Sequence, residues 1–194
     1  MGASILILQG HPDPEGGHLC HALADAYERG ARAGGHAVRR FDVATLSIPP
    51  LRSEAEYGHG AIPEAVVEVQ EALRTCTHLV VIFPLWLGAA PAALKAVLEQ
   101  VFRPGFAFVY KPRGFPEARL TGRSARVIVT MGTPAFLYRW LLGAHGVRSL
   151  EGDVLKFSGF GPVRRTLLGR VGAVPAERRE RWLREMEELG RKAG

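Results

Sequence analysis

The run Ser4-Ile5-Leu6-Ile7-Leu8-Gln9 empties directly into Gly10-His11-Pro12-Asp13-Pro14-Glu15-Gly16-Gly17-His18, and this junction constrains the fold more than any other part of the chain. An apolar run of this length reads as a strand buried on both faces. The Gly/Pro-rich loop then gives way to a helical pattern at Leu19, Leu23, Ala26 and Tyr27, so the junction reads as the first turn of a βαβ unit. Such a turn suits an anion, because glycines let backbone N–H groups approach closely and the following helix presents the positive end of its dipole. A phosphate-bearing cofactor or substrate is the first expectation. An ordinary connecting turn uses Gly and Pro in the same way, so the loop alone leaves both uses open. Neither GxGxxG nor GxxxxGK[ST] is present, and Gly16-Gly17 has no Lys-Ser/Thr after it, which counts against a triphosphate.

A chain of 194 residues has room for one well-buried domain, and residues 1–194 are read as a single unit. Its apolar content of 47% suits a globular α/β protein. No apolar stretch approaches the roughly 20 residues of a membrane span. The opening Met1-Gly2-Ala3-Ser4 has no basic leader, and Cys20 and Cys76 form neither a disulfide framework nor a metal pattern, so a reducing cytoplasm is expected. The net charge of +6 comes from 21 Arg and 4 Lys, densest after Arg164. No nucleic-acid-binding motif accompanies that charge, so no nucleic-acid partner is expected, whereas a phosphorylated cofactor such as NADPH would be attracted by it.

Apolar runs at Ser4–Gln9, His36–Val43, Thr77–Phe83, Arg126–Thr130 and Val163–Leu168 alternate with helical patterns. The helices are expected over Gly17–Ala33, Pro63–Thr75, Pro91–Phe102 and Ala176–Arg191, with shorter ones near Phe136–Leu142 and Ser149–Phe157. This alternation implies a doubly wound five-stranded parallel sheet with helices on both faces. The segments Ala44–Ile62 and Arg103–Arg123 read as irregular insertions whose apolar residues, Leu51, Tyr57, Phe106, Phe108 and Tyr110, would be exposed without a partner subunit. Ligands of such sheets bind beyond the carboxyl ends of the strands. The loops Gly10–Gly17, Pro84–Ala90 and Met131–Phe136 meet that requirement.

Beyond the first junction, the chain carries Phe83-Pro84-Leu85 followed by Pro91-Ala92-Ala93-Leu94-Lys95, then Gly105-Phe106-Ala107-Phe108, Thr130-Met131-Gly132 and Gly143-Ala144-His145-Gly146. In this order these pieces resemble the flavodoxin-like NAD(P)H:quinone reductase family, which includes the ancillary flavoproteins of potassium efflux. The resemblance implies a flavodoxin-like fold and a non-covalent flavin, FMN or FAD. It further implies NAD(P)H as co-substrate, a small-molecule electron acceptor such as a quinone, and a homodimer with sites at its interface. By the same resemblance, His11, Gly16, Gly17, His18 and Leu19 meet the flavin phosphate, Pro84, Leu85, Trp86 and Leu87 line the isoalloxazine, and Thr130, Met131, Gly132 and Thr133 close over its other edge. Arg179 falls where a basic side chain can meet the flavin, and Tyr138 and His145 are the implied catalytic pair, able to donate a proton or stabilise charge on the reduced ring.

His18-x-x-His21 lacks a Cys or carboxylate at ligand spacing, so no metal is expected. Two other functions fit the same residues, a flavin or azo-compound reductase and a flavoprotein subunit that regulates a membrane transporter.

Overall fold

A computed structural model describes residues 2–194. The element order begins β1 (Ser4–Gln9), α1 (Leu19–Ala33), β2 (Ala37–Asp42), α2 (Glu54–His59), α3 (Glu64–Thr75), β3 (His78–Pro84) and α4 (Ala92–Val101). A short hairpin, β4 (Phe108–Val109) and β5 (Glu117–Ala118), precedes β6 (Ser124–Met131). The chain continues through α5 (Ala135–Trp140), α6 (His145–Ser149), β7 (Val163–Gly169) and α7 (Ala176–Arg191). The sheet has five parallel strands in the order β2-β1-β3-β6-β7, which is the flavodoxin-like doubly wound arrangement.

The three central strands β1, β3 and β6 are buried on both faces while the edge strands β2 and β7 are partly exposed, and period-two alternation decides which side chain goes where. Ile5, Ile7, Val80, Ile82 and Ile128 pack with Leu23 and Tyr27 of α1 and Trp182 and Met186 of α7. Leu6, Leu8, Val81, Phe83, Val127 and Val129 pack on the other side with Val66, Val69 and Leu73 of α3 and Leu94 and Val97 of α4. Fully burying an aliphatic side chain is worth about 1.5–3 kcal/mol, so the strands are held chiefly by this two-sided burial. The winding reverses between β1 and β3, so the loops that follow these two strands lie side by side.

Three features of the chain differ from the sequence expectation. The segment 44–62 holds α2, where the Ser53 hydroxyl accepts the Glu56 N–H at 3.1 Å and the Glu56 carboxylate accepts the Arg52 N–H at 2.8 Å. The helix expected at Ser149–Phe157 is a π-helical stretch, Leu150–Lys156, that continues α6. The apolar residues of the insertions are mostly satisfied within the chain: Phe108 is buried with its ring 4.8 Å from that of Phe157, and Leu51 is half-buried. Tyr57 and Phe106 pack against the core. Only Tyr110 of that set stands well exposed, together with Phe115.

Candidate functional site

The β1–α1 loop forms a cradle at the end of the sheet. Gly16 and Gly17 sit at φ +77° and +75°, and a Cβ added at either would meet nothing within 4 Å, so their backbone faces open space in a conformation costly for other residues. His18 caps α1 in an extended conformation with no side-chain cap, which leaves the Leu19 and Cys20 amides free for a ligand, while the His21 N–H donates to the His18 carbonyl at 3.0 Å. The loop is tied down by Gln9, whose side-chain oxygen accepts the His11 N–H at 2.7 Å.

Histidines crowd this cradle. The rings of His11 and His18 stack at 3.9 Å, and His21 lies 5.4 Å from His11. Burial, followed by the neighbouring imidazoles, holds His11 below the ordinary value of 6.5, and burial does the same to His21. The Nδ1 of His21 is buried without a hydrogen-bond partner among the described residues. Asp13 is the group of opposite preference. Its carboxylate accepts from His18 at 2.7 Å and from the Glu15 N–H at 2.9 Å, and these bonds hold it below the usual carboxylate range.

Beside the cradle lies a cleft of about 700 Å³, walled by Leu85, Leu87, Met131, Gly132, Thr133 and His145. Its near wall is a tight turn in which Trp86 and Ala89 exchange two backbone hydrogen bonds of 3.0 Å. The central residues, Leu87 and Gly88, have φ of +48° and +80°, the signature of a type I′ turn. For Leu87 this backbone is strained by about 1 kcal/mol, and its side chain stands fully exposed at the mouth. Trp86 reaches the cradle, edge-on to His11 at 6.1 Å, so the two features share a border.

α5 and α6 clasp this turn from behind. The buried Tyr138 donates its hydroxyl proton to the Gly88 carbonyl at 3.0 Å, and burial pushes its phenol upward. Gly146 packs so tightly that an added Cβ would lie 2.3 Å from the same carbonyl. His145 is exposed and makes no hydrogen bond to any described residue.

The expected site residues therefore divide. His11, Gly16, Gly17, His18 and Leu19 gather at the cradle, and Leu85, Leu87, Met131, Gly132, Thr133, Tyr138 and His145 gather at the cleft, with Pro84 ending β3 and Trp86 between. Thr130 is turned away: its hydroxyl lies 3.3 Å from the Cys20 Sγ and its carbonyl accepts the Leu85 N–H at 2.7 Å. Arg179 is exposed near the start of α7 and lines neither feature. The sequence reading did not single out Asp13, Gly88 and Ala89, although they lie in the loops it assigned to a ligand, nor Gly146 within the quoted 143–146 motif, and it gave His21 and Leu142 no part in the site. His21 had a signal, standing one helical turn after His18, whereas Gly146 owes its role to a contact across the fold.

A cradle of free amides and imidazoles next to an apolar cleft has the donor set for a phosphate ester bearing a flat ring system. Among the described residues no cluster of His, Cys, Asp or Glu has the arrangement of a metal site, and no helix is long and apolar enough to cross a membrane.

Residues 3–190 match a family model described as flavodoxin-like fold, and the chain belongs to that family. It is 26% identical over 147 residues to NAD(P)H dehydrogenase [quinone] 1 of Rattus norvegicus, an alignment covering 71% of this chain. That alignment takes in 53% of the rat protein, so the chain matches about half of that relative's length. It is 26% identical over 142 residues to the FMN-dependent NADH:quinone oxidoreductase of Ruegeria pomeroyi, covering 65% of this chain and 70% of that protein. The solved structure of an NAD(P)H:quinone oxidoreductase from Methanothermobacter marburgensis superposes with a TM-score of 0.83 at 24% identity, covering 99% and 97% of the two chains.

Proposed function

We propose that this chain is a flavin-dependent NAD(P)H oxidoreductase that reduces quinones or similar electrophilic small molecules. The observation that carries the reading is the shared border between the anion-accepting cradle and the apolar cleft at the switch point between β1 and β3, bridged by Trp86. The names of the relatives in rat and Ruegeria support the same chemistry.

Bound there, a flavin supplies hydride acceptance from a nicotinamide and hydride donation to the acceptor. The chain's own residues bind, orient and shield. The Leu19 and Cys20 amides of α1 and the backbone at Gly16 and Gly17 hold the phosphate, and His11, whose Nδ1 accepts the Asp13 N–H, adds its Nε2–H as a donor while His18 fixes the loop through Asp13. Leu85, Leu87 and Met131 wall the ring position against water, while the Met131-Gly132-Thr133 backbone borders it from the β6 side. Tyr138 and Gly146 are positioning residues, since both act on the carbonyl of Gly88 and so fix the turn. His145, exposed at the cleft, holds or moves a proton at an acceptor oxygen. Arg179 and Thr130 have no contact that gives them a part in this scheme.

A homodimer completes the proposal, with exposed Tyr110 and Phe115 as its apolar contacts. The test is the absorbance of the purified protein followed by extraction of its cofactor. A yellow preparation that releases FMN or FAD and bleaches with NAD(P)H is expected, and a colourless protein that fails to bind either flavin refutes the proposal.

A further inference from the structure

The α5 region leaves a run of large apolar side chains in solvent. Phe136 is 65% exposed, Trp140 77% and Leu141 73%, with Leu142 and the fully exposed Leu87 continuing the patch to the mouth of the cleft. An isolated exposed Leu is ordinary, but contiguous apolar patches of this kind mark interaction surfaces.

Arginines surround the patch. Arg139 lies over the Trp140 ring at 5.2 Å, and with Arg148 and Arg165 it lines a cavity of about 660 Å³ beside Trp140. On the other side, Arg170 and Arg178 line a cavity of about 320 Å³ that includes Phe136 and Trp182. No carboxylate lines either cavity, and of these arginines Arg165 is ion-paired with the buried Glu151, which leaves Arg139, Arg148, Arg170 and Arg178 to carry the charge of the surface.

We propose that this surface docks on an anionic lipid bilayer, with Trp140 and Leu141 entering the headgroup and upper acyl region and the arginines meeting lipid phosphates. Trp is suited to that depth, and arginine stems pack on apolar surface while their heads stay wet. The charge pattern argues against a second copy of the chain as occupant, because a two-fold contact through this patch would crowd Arg139 and Arg148 of both copies into one interface with no carboxylate lining it. Docking would place the mouth of the cleft, at Leu87 and Leu142, on the lipid surface. Resting on the proposed reductase activity, the acceptor class is then long-chain quinones dissolved in the membrane.

The test is sedimentation of the full chain with vesicles of equimolar phosphatidylglycerol and phosphatidylcholine, against vesicles of phosphatidylcholine alone. Binding at least about tenfold tighter to the anionic vesicles, weakened by added salt, is expected. The double variant Trp140→Ser, Leu141→Ser should lose about tenfold of that affinity, and Arg139→Glu should also weaken it. Both variants should keep the wild-type mass in sedimentation velocity and the wild-type turnover of a water-soluble quinone. Absence of vesicle binding, binding indifferent to these substitutions, or a double variant that falls to a smaller oligomer would overturn the proposal, the last by assigning the patch to a contact between copies. Vesicle binding by a protein that takes no flavin would refute the reductase reading and leave the docking surface standing.

Discussion

Replacing Gly146 with Ala probes the link between packing and cofactor. The added methyl would lie 2.3 Å from the Gly88 carbonyl oxygen. Since van der Waals contact requires about 3.4 Å, one backbone must retreat by about 1 Å. Gly146 belongs to α6, anchored by the buried Val147, whereas the 86–89 turn is bounded by solvent and moves more easily. Retreat of the turn stretches the 3.0 Å hydrogen bond from Tyr138 beyond bonding distance, a loss of about 1 kcal/mol, with residual strain of about 1 kcal/mol. A cost of this size lowers Tm by about 4–8 °C in a chain of this length. Because the displaced turn carries Trp86 and Leu87, the dissociation constant for FMN should rise by about 10- to 100-fold. The measurements are quenching of flavin fluorescence on titration and a thermal melt. Gly152→Ala serves as control, since a Cβ at Gly152 meets nothing within 4 Å. A lowered Tm with unchanged FMN affinity would show that the turn does not bear on the ring, and the positioning role of Tyr138 and Gly146 would fall with it.

Gly17→Asp should weaken flavin binding more than Gly17→Ala does, because both share the strain of φ +75° but only Asp sets a carboxylate against the phosphate; equal losses would remove the electrostatic part of the argument. His145→Gln should slow reoxidation of the bleached flavin by a quinone by about 10- to 1000-fold in anaerobic stopped flow at wild-type flavin content, and an unchanged rate would strip His145 of its proton-handling role. Burial, then the charges of Arg126 and Arg164, holds the imidazole of His78 down to about 4. The unfolded chain takes up this proton near pH 6.5 and the folded chain only near 4, so stability is full above about pH 7 and falls as pH drops through that window, by up to about 3 kcal/mol. Urea midpoints at pH 7.5 and 4.5 for wild type and His78→Leu check this: the variant should lose most of that dependence, and equal slopes would refute it.

The sheet was legible because parallel strands buried on both faces need apolar runs, which Ile5–Leu8 and Leu79–Phe83 supply. The doubly wound class was legible from the alternation of strands and helices, whereas its flavodoxin-like form came from the family likeness and the order β2-β1-β3-β6-β7 from the structure. The insertions were not legible. α2 carries no buried residue and so has no apolar stripe; its signal was the pair Ser53 and Glu56. Strands as short as Phe108–Val109 show no alternation, and periodicity does not separate a π-helical stretch from an α-helix in seven residues such as Leu150–Lys156. In the site, the open backbone at Gly16 and Gly17 followed from the glycines themselves. Tyr138 and His145 came from the family likeness alone, and the clasp of Tyr138 and Gly146 on Gly88 joins positions distant in sequence, which no local pattern records.

The central claim is that the β1–α1 cradle holds the phosphate of a flavin whose ring lies in the neighbouring cleft. Comparing the affinities of the flavin-free protein for FMN and for riboflavin tests it most directly, because the two ligands share the ring and differ only in the phosphate. FMN should bind at least about 100-fold tighter, the scale expected for several charge-assisted hydrogen bonds at a helix N-terminus. Equal affinities, or binding of neither, would contradict the account.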